Sequence, residues 1–155
     1  MFIPQDMIPV QTLKPAADAA GRNGEAVSLK NAEAAFLVVH IDQGNAATIA
    51  IAPEQCTNVA GAGGKAIPAC PIYVNQDAGT ASPLTKQAAA ANFTTSAAVK
   101  QKIVIFQLDI DAFDIAGGFD CVRAVTGASN AANITEACVY IRPRFKPLDV
   151  DAKAN

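Results

Sequence analysis

The segment EAAFLVVHID, residues 33–42, decides the fold because its apolar and polar side chains alternate along the chain. One set of alternate positions is apolar after its first member: Glu33, Ala35, Leu37, Val39 and Ile41. The other set grades from apolar to polar: Ala34, Phe36, Val38, His40 and Asp42. Because successive side chains of a strand point to opposite faces, this pattern predicts a β-strand with one buried face.

The segments on either side continue the β pattern. The turn QGN at 43–45 is followed by AATIAIAPEQ at 46–55, which places Ile49 and Ile51 on one face and predicts a hairpin. Alternation returns in three later segments: residues 100–110, 119–127 and 136–145. The segment KAIPACPIYV, residues 65–74, reads as a strand whose prolines confine it to a sheet edge or a bulge.

These segments predict an all-β protein. Seven or eight short strands separated by turn signals are typical of an antiparallel β-sandwich or barrel, here jelly-roll-like, with a body spanning residues 27–147. The alanine-rich residues 84–91 are the one segment with helical propensity, so we expect at most one short helix.

The two ends of the chain differ in composition from the body. Residues 1–26 contain Pro4, Pro9 and Pro15, which predict an extended N-terminal arm lying along its own body or a neighbour. Its apolar side chains are the predicted partner contacts: Phe2, Ile3, Met7, Ile8 and Val10. Residues 148–155 are small and polar, and predict a loose C-terminal tail.

Composition argues for a soluble chain made inside a cell. The 155 residues fit one domain, with 51% hydrophobic and only 17% charged residues. A net charge of −2 gives no basic field for nucleic acid or an acidic membrane. The opening residues have no positive region or long apolar core, so we expect no signal peptide, and the run AAFLVVHI is too short for a membrane helix.

The stretch GAGGKA, residues 61–66, is the nearest approach to a phosphate-binding loop. A P-loop has the pattern G-x-x-x-x-G-K-[ST]. It needs a glycine six residues before the lysine and a serine or threonine directly after it. This chain has Val59 and Ala66 at those positions. The residues that follow carry two prolines and no helical period. We therefore predict a turn between two strands, with no cofactor and no small-molecule substrate.

Other candidate chemical groups fail their templates. The carboxylates Asp109, Asp111 and Asp114 do not match a calcium loop, which needs glycine at position 6 and glutamate at position 12, so a capped turn is predicted. His40, the only histidine, has no accompanying serine or metal motif. Arg142 and Arg144 are predicted either to contact a partner or to guard an edge strand. The sequence therefore predicts no catalytic residue, no metal site and no enzyme.

The four cysteines form no C-x-x-C pair. Cys70 shares a face with Ile72 and Val74 and is expected to be a buried thiol, whereas Cys138 is expected to be the more exposed one. Free thiols are the rule in a reducing cytosol, but a particle that leaves the cell meets oxidising conditions. Two alternatives therefore remain: four free thiols, or a disulfide between Cys121 and Cys138.

Three stretches carry a resemblance to a known group of proteins. They are residues 27–67, with the rhythm KNA…VVHI.QGNAATI, residues 104–125, with FD.V, and residues 134–145. Together they resemble small virion proteins of tailed bacteriophages, of the head-associated decoration or cement type. The resemblance spans about Val27 to Phe145 and transfers no catalytic motif, while the cysteines depart from the group.

The resemblance implies a place rather than a reaction. It implies a virion protein, made in the host cytoplasm, that decorates the phage head and binds the major capsid protein as a homo-oligomer. The alternative is an adaptor or completion protein of the neck or tail. An enzyme of the virion is a more distant hypothesis, because the sequence offers no catalytic motif.

Overall fold

A computed structural model describes residues 6–144 and 151–154 of the chain. The described residues contain fourteen β-strands and a single 3-10 turn at Ile110–Ala112. In this part of the chain, no helix is long and apolar enough to cross a membrane. The strands are, in chain order, β1 (Ile8–Ala17), β2 (Arg22–Asn23), β3 (Val27–Ser28), β4 (Ala32–Gln43), β5 (Ala50–Ile51), β6 (Glu54–Cys56), β7 (Lys65–Ala66), β8 (Cys70–Asn75), β9 (Thr85–Ala90), β10 (Phe93–Thr94), β11 (Gln101–Leu108), β12 (Cys121–Arg123), β13 (Val125–Thr126) and β14 (Asn133–Pro143).

The largest element is a six-stranded antiparallel sheet with the order β1-β14-β4-β11-β8-β9. The strand that decided the prediction, β4, lies near its centre and pairs with β14 and β11 along most of its length. Two four-stranded sheets, β10-β5-β13-β2 and β3-β12-β6-β7, form the rest of the structure. Within the described residues, β1 and β9 are the edges of the large sheet, which therefore does not close into a barrel.

The alternation predicted for β4 and β11 is confirmed. On β4, Leu37 and Val39 are fully buried, and on β11, Val104 and Phe106 are fully buried. Together with Ile49 and with Ile51, Val27 and Val122 of the smaller sheets they form one apolar core. Burying side chains of this size stabilises the fold by about 1.5–3 kcal/mol each. The all-β antiparallel sandwich is thus what the chain forms, with its core between the large sheet and the two small ones.

Two local predictions are wrong. The helix predicted over residues 84–91 is instead strand β9, which pairs with β8 through Gln87 and Lys86. The predicted hairpin between residues 33–42 and 46–55 does not form, because β5 pairs with β10 and β13 in a small sheet. The chain leaves the large sheet after Gln43, whose buried side-chain amide donates hydrogen bonds to Ala47 O and Ser96 O.

The sequence predicted that the prolines around β8 lie at a sheet edge or in a bulge, and the structure shows a bulge. The strand is not at an edge, since it pairs with β11 and β9, but its register with β9 shifts between Cys70 and Ile72. Pro71 occupies this irregularity. A bulge tolerates proline because one residue there is left out of the ladder of hydrogen bonds.

The N-terminal segment lies along its own body. Residues 8–17 are extended as β1 and pair with β14, with bulges near Thr12 and Lys14. Leu13 is buried in the core. At the other end of the chain, Ala152 is 7% exposed and accepts a hydrogen bond from Ser28 N at 2.8 Å. The described residues of the predicted loose tail thus pack against the body.

Candidate interaction surface

The second face of the large sheet carries apolar side chains where a solvent-facing sheet ordinarily carries polar ones. We call this face, turned away from the core, the outer face. Strand register aligns four of its side chains in one row across four neighbouring strands: Tyr73, Ile105, Val38 and Cys138. Phe36 and Tyr140 form a second pair beside that row. All six are half-buried, so their apolar surface is partly open to solvent.

A shallow groove of about 370 Å³ crosses this face. Its lining is almost wholly apolar and aromatic: Met7, Phe36, Val38, Tyr73, Leu84, Ile105 and Tyr140. Leu84 stands at its border with 47% of its surface exposed. Contiguous apolar surface with two tyrosines makes this face the candidate for contact with another macromolecule, since interfaces favour aromatic groups.

Charged side chains surround the apolar centre. At one end of the face His40 Nδ1 lies 3.2 Å from Glu136 Oε1, on neighbouring strands. At the other end Arg142 Nε lies 3.0 Å from Glu33 Oε2, with both side chains half exposed. Lys86 of β9 is exposed opposite the tyrosine of β8. An apolar centre with a solvated charged rim is the usual anatomy of a protein interface.

Three of the five predicted N-terminal contacts fall within the described residues. Met7 is only 4% exposed and lines the groove, so it reaches the outer face. Ile8 and Val10 lie on β1 opposite Ile141 and Val139, which belong to the core side of the sheet. Phe2 and Ile3 lie outside the described residues. Of the described three, Met7 alone belongs to the outer face.

Arg142 and Arg144 were predicted to contact a partner or to guard an edge strand. The second alternative is wrong, because β14 lies inside the sheet, between β1 and β4. Arg142 forms two contacts of 3.0 Å with the Glu33 carboxylate, and Arg144 donates a hydrogen bond to Ala32 O at 3.2 Å. Arg142 therefore contributes to the charged rim, whereas Arg144 fixes the start of β4.

The glycine-rich stretch is a turn, as predicted. It connects β6 to β7, and Gly61 and Gly63 adopt positive φ angles of 78° and 66°. Lys65 Nζ donates to Asp114 Oδ2 at 2.5 Å and lies 3.8 Å from the centre of the Phe119 ring. This lysine holds two parts of the protein together, since its ammonium group is engaged by a carboxylate and an aromatic face.

The predicted turn at residues 109–114 forms, but Asp109 makes no capping hydrogen bond, and it is Asp114 that caps the turn that follows. Asp114 Oδ1 accepts a hydrogen bond from Gly117 N at 2.9 Å, and the hydrogen bond from Lys65 lowers the pKa of the Asp114 carboxyl. In the described part of the chain, no three His, Cys, Asp or Glu side chains are grouped closely enough to hold a metal ion.

Two buried charged residues were missed by sequence reasoning. Asp18 is fully buried, accepts hydrogen bonds from Arg22 Nε at 2.9 Å and Thr126 Oγ1 at 2.7 Å, and is also bonded by the Thr135 hydroxyl. Arg22 in turn donates to Lys14 O at 2.7 Å and Thr135 O at 2.6 Å. This network joins β1, β2, β13 and β14, and its only sequence signal was an aspartate four residues before an arginine.

Lys102 is the second missed residue. It lies on the core side of β11 with 1% of its surface exposed, and burial lowers the pKa of its ammonium group. Its Nζ donates to Gln43 Oε1 at 2.7 Å and to Ser96 O at 2.6 Å. Thr95 Oγ1 also donates to the same Gln43 oxygen, at 2.9 Å. Lys102 belongs to the same alternate set as Val104 and Phe106, but the identity of its polar partners depends on the tertiary fold.

The cysteines are free thiols in the structure. Cys70 is buried as predicted, and burial raises the pKa of its thiol to about 11. Cys138 is half-buried on the outer face, the least enclosed of the four. The structure does not bring Cys121 and Cys138 together, since Cys121 lies in a small sheet and Cys138 in the large one. Cys121 instead lies opposite Cys56.

Comparison of the chain with protein-family models, with curated proteins and with solved structures finds no match. The function is therefore inferred from the outer face and from the contacts of the charged residues.

Proposed function

We propose that this chain is a structural protein of a phage virion, a non-enzymatic decoration or cement protein that binds the head shell through its outer face. The observation that carries the proposal is the apolar groove across the centre of the large sheet, with its charged rim. The resemblance of residues 27–145 to head-associated phage proteins supports the choice of a phage head as the place where this surface binds.

The contacts of the chemically capable residues support a structural role. Lys65 and Asp114 pair with each other, and His40 pairs with Glu136 on the sheet surface. The buried carboxylate of Asp18 is occupied by Arg22 and two threonine hydroxyls. In each case the charged group already has a partner within the protein.

The proposed partner is the major capsid protein. The apolar centre of the sheet face is the proposed contact area, and the half-buried tyrosines Tyr73 and Tyr140 provide large contact area at low entropic cost. Met7 of the N-terminal segment packs into the groove with only 4% of its surface exposed, so it shapes the face and adds little contact area of its own. Several copies around one point of the shell form the proposed homo-oligomer, as expected when identical sites are arranged by symmetry.

The alternative is an adaptor or completion protein of the neck or tail, which uses the same face against a different partner. Copy number separates the two proposals. A shell protein is repeated over the whole head, whereas a neck protein forms a single closed ring with few copies.

The experiment is to tag the C-terminus and to count and image the protein on purified particles of the phage that encodes it. Density spread over the head supports the decoration role. Density confined to the junction of head and tail supports the adaptor, and absence of the protein from purified particles contradicts both.

A further inference from the structure

Cys56 and Cys121 lie directly opposite each other on the neighbouring antiparallel strands β6 and β12. Both residues are fully buried. They form a small apolar cluster of their own with Ala26, covered by the half-buried Val59 and separate from the main core. The thiols are near enough for a negative charge on Cys56 to raise the pKa of the Cys121 thiol. No other two cysteines share such a register.

Backbone geometry makes this pair suitable for a covalent bond. Opposed residues of an antiparallel pair have Cα atoms about 4.5–5.5 Å apart. A disulfide needs a Cα separation of about 4.4–6.8 Å, so β6 and β12 already meet the requirement. The remaining two cysteines fail it, because β4 and β11 lie between the strands of Cys138 and Cys70. Three strand spacings of about 4.8 Å separate those two residues, beyond the reach of one disulfide.

We propose that Cys56 and Cys121 are a disulfide-forming pair, which a low-molecular-weight disulfide such as oxidised glutathione converts into a cross-strand bridge between β6 and β12. This covalent site is independent of the proposed attachment to a shell. It replaces the bridge between Cys121 and Cys138 that the sequence left open.

The reaction is two successive thiol–disulfide exchanges. The thiolate of one cysteine attacks a sulfur of oxidised glutathione, forming a mixed disulfide and releasing one glutathione thiolate. The thiolate of the second cysteine then attacks the protein sulfur of that mixed disulfide and releases the other glutathione. Two protein thiols lose two electrons and two protons in total, and one glutathione disulfide is reduced to two glutathione thiols.

Burial makes this reaction slow in the folded protein. Burial is the largest cause that raises the pKa of the Cys121 thiol to about 12, and it also raises the pKa of the Cys56 thiol. The thiolate fraction at neutral pH is therefore small. Entry of glutathione further requires local opening. We expect this opening at β7, an exposed two-residue edge strand that pairs with β6. Oxidation is thus expected to accelerate with rising pH and with mild denaturant.

Once formed, the bridge stabilises the protein. It connects β6, which precedes the glycine-rich turn, to β12, 65 positions further along the chain (121 − 56 = 65). A cross-link that closes a loop of this length restricts the unfolded chain, and the native register needs no rearrangement to accept it. The oxidised protein is therefore expected to melt at a higher temperature than the reduced one.

The test is to unfold and refold the protein in a glutathione redox buffer and then to map disulfides by mass spectrometry of peptides. We expect a bridged peptide pair containing Cys56 and Cys121 in the natural protein and in the Cys70→Ser/Cys138→Ser control. The bridge should be absent from Cys56→Ser, and the rise in Tm on oxidation should be lost with it.

Two results would overturn the proposal. One is a bridge that joins Cys121 to Cys138. The other is recovery of Cys56 and Cys121 as free thiols or as separate glutathione adducts in refolded, oxidised protein.

Discussion

The buried carboxylate of Asp18 offers the most quantitative test of the fold. Replacing it by asparagine keeps the shape of the side chain but removes the charge that faces Arg22 at 2.9 Å. The Asp18 side chain is 0% exposed and that of Arg22 is 20% exposed, so the guanidinium is left largely enclosed without its counter-charge. Breaking a buried ion pair by removing one partner costs about 3–5 kcal/mol.

The partial exposure of Arg22 places the expected loss for Asp18→Asn at the lower end, about 3 kcal/mol. For a chain of this length, each kcal/mol lowers Tm by about 2–4 °C, so the expected fall is about 6–12 °C. Thermal unfolding followed by circular dichroism measures it. The matched control is Asp111→Asn, which removes a carboxylate from an exposed residue of the 3-10 turn and should leave Tm within experimental error of the natural protein.

A double-mutant cycle with Arg22→Gln separates the ion pair from other effects. Because part of the cost of Asp18→Asn is the unpaired charge on Arg22, the two substitutions should be less than additive. If Asp18→Asn melts at the same temperature as the Asp111 control, the network described for β1, β2, β13 and β14 is refuted.

The remaining predictions concern three other positions. Lys102→Met should leave stability at neutral pH unchanged or raised. The folded pKa of Lys102 lies below its unfolded value, so the natural protein gains stability as pH rises from the folded pKa towards 10.5. Urea titrations should show this rise in the natural protein and not in the variant. Gly24→Ala should lower Tm, because a Cβ there lies 2.7 Å from Thr12 O and 2.9 Å from Ala124 O; an unchanged Tm would contradict the packing of β1. Lys65→Ala should leave nucleotide binding unaltered, and ATP binding by the natural protein that this substitution abolishes would refute the turn interpretation.

The sequence predicted which faces of the central strands are buried, because the two-residue period is written in the side chains themselves. Residues 33–42 and 100–110 illustrate this, because their alternate side chains face the core as strands β4 and β11. Which strands pair with one another was harder to predict from the sequence. The turn after Gln43 suggested a hairpin, whereas the chain crosses to the second layer, where it pairs with residues distant in sequence.

Tertiary context also overrode local propensity at both edges of the large sheet. The alanines of β9 favour a helix when taken alone. Their segment is nevertheless a strand, because pairing with β8 outweighs the local helical propensity. The prolines near β1 suggested an arm that lies along its own body or a neighbour. Within the chain, β1 forms backbone hydrogen bonds with β14, and bulges accommodate the irregular pairing. Deleting residues 1–12 therefore removes part of the sheet as well as Met7.

Only part of the outer face could be predicted from the sequence. The second set of positions on β4 was recognised as apolar at its start, with Phe36 and Val38, but its neighbours Tyr73, Ile105 and Tyr140 come from three other strands. Register brings these side chains together, and register is a property of the whole sheet. The Cys56–Cys121 pair was hidden for the same reason.

The most direct test of the proposed attachment is the occupancy of purified phage particles by two charge variants. Ile105→Lys places an ammonium group in the centre of the outer face. Ile115→Lys makes the same change at an isoleucine that is already 53% exposed in the turn after the 3-10 segment. Both variants should remain folded by circular dichroism. We predict that Ile105→Lys is lost from the particles while Ile115→Lys is retained at the natural copy number. A folded Ile105→Lys variant that occupies the particles as fully as the natural protein would contradict attachment through the outer face.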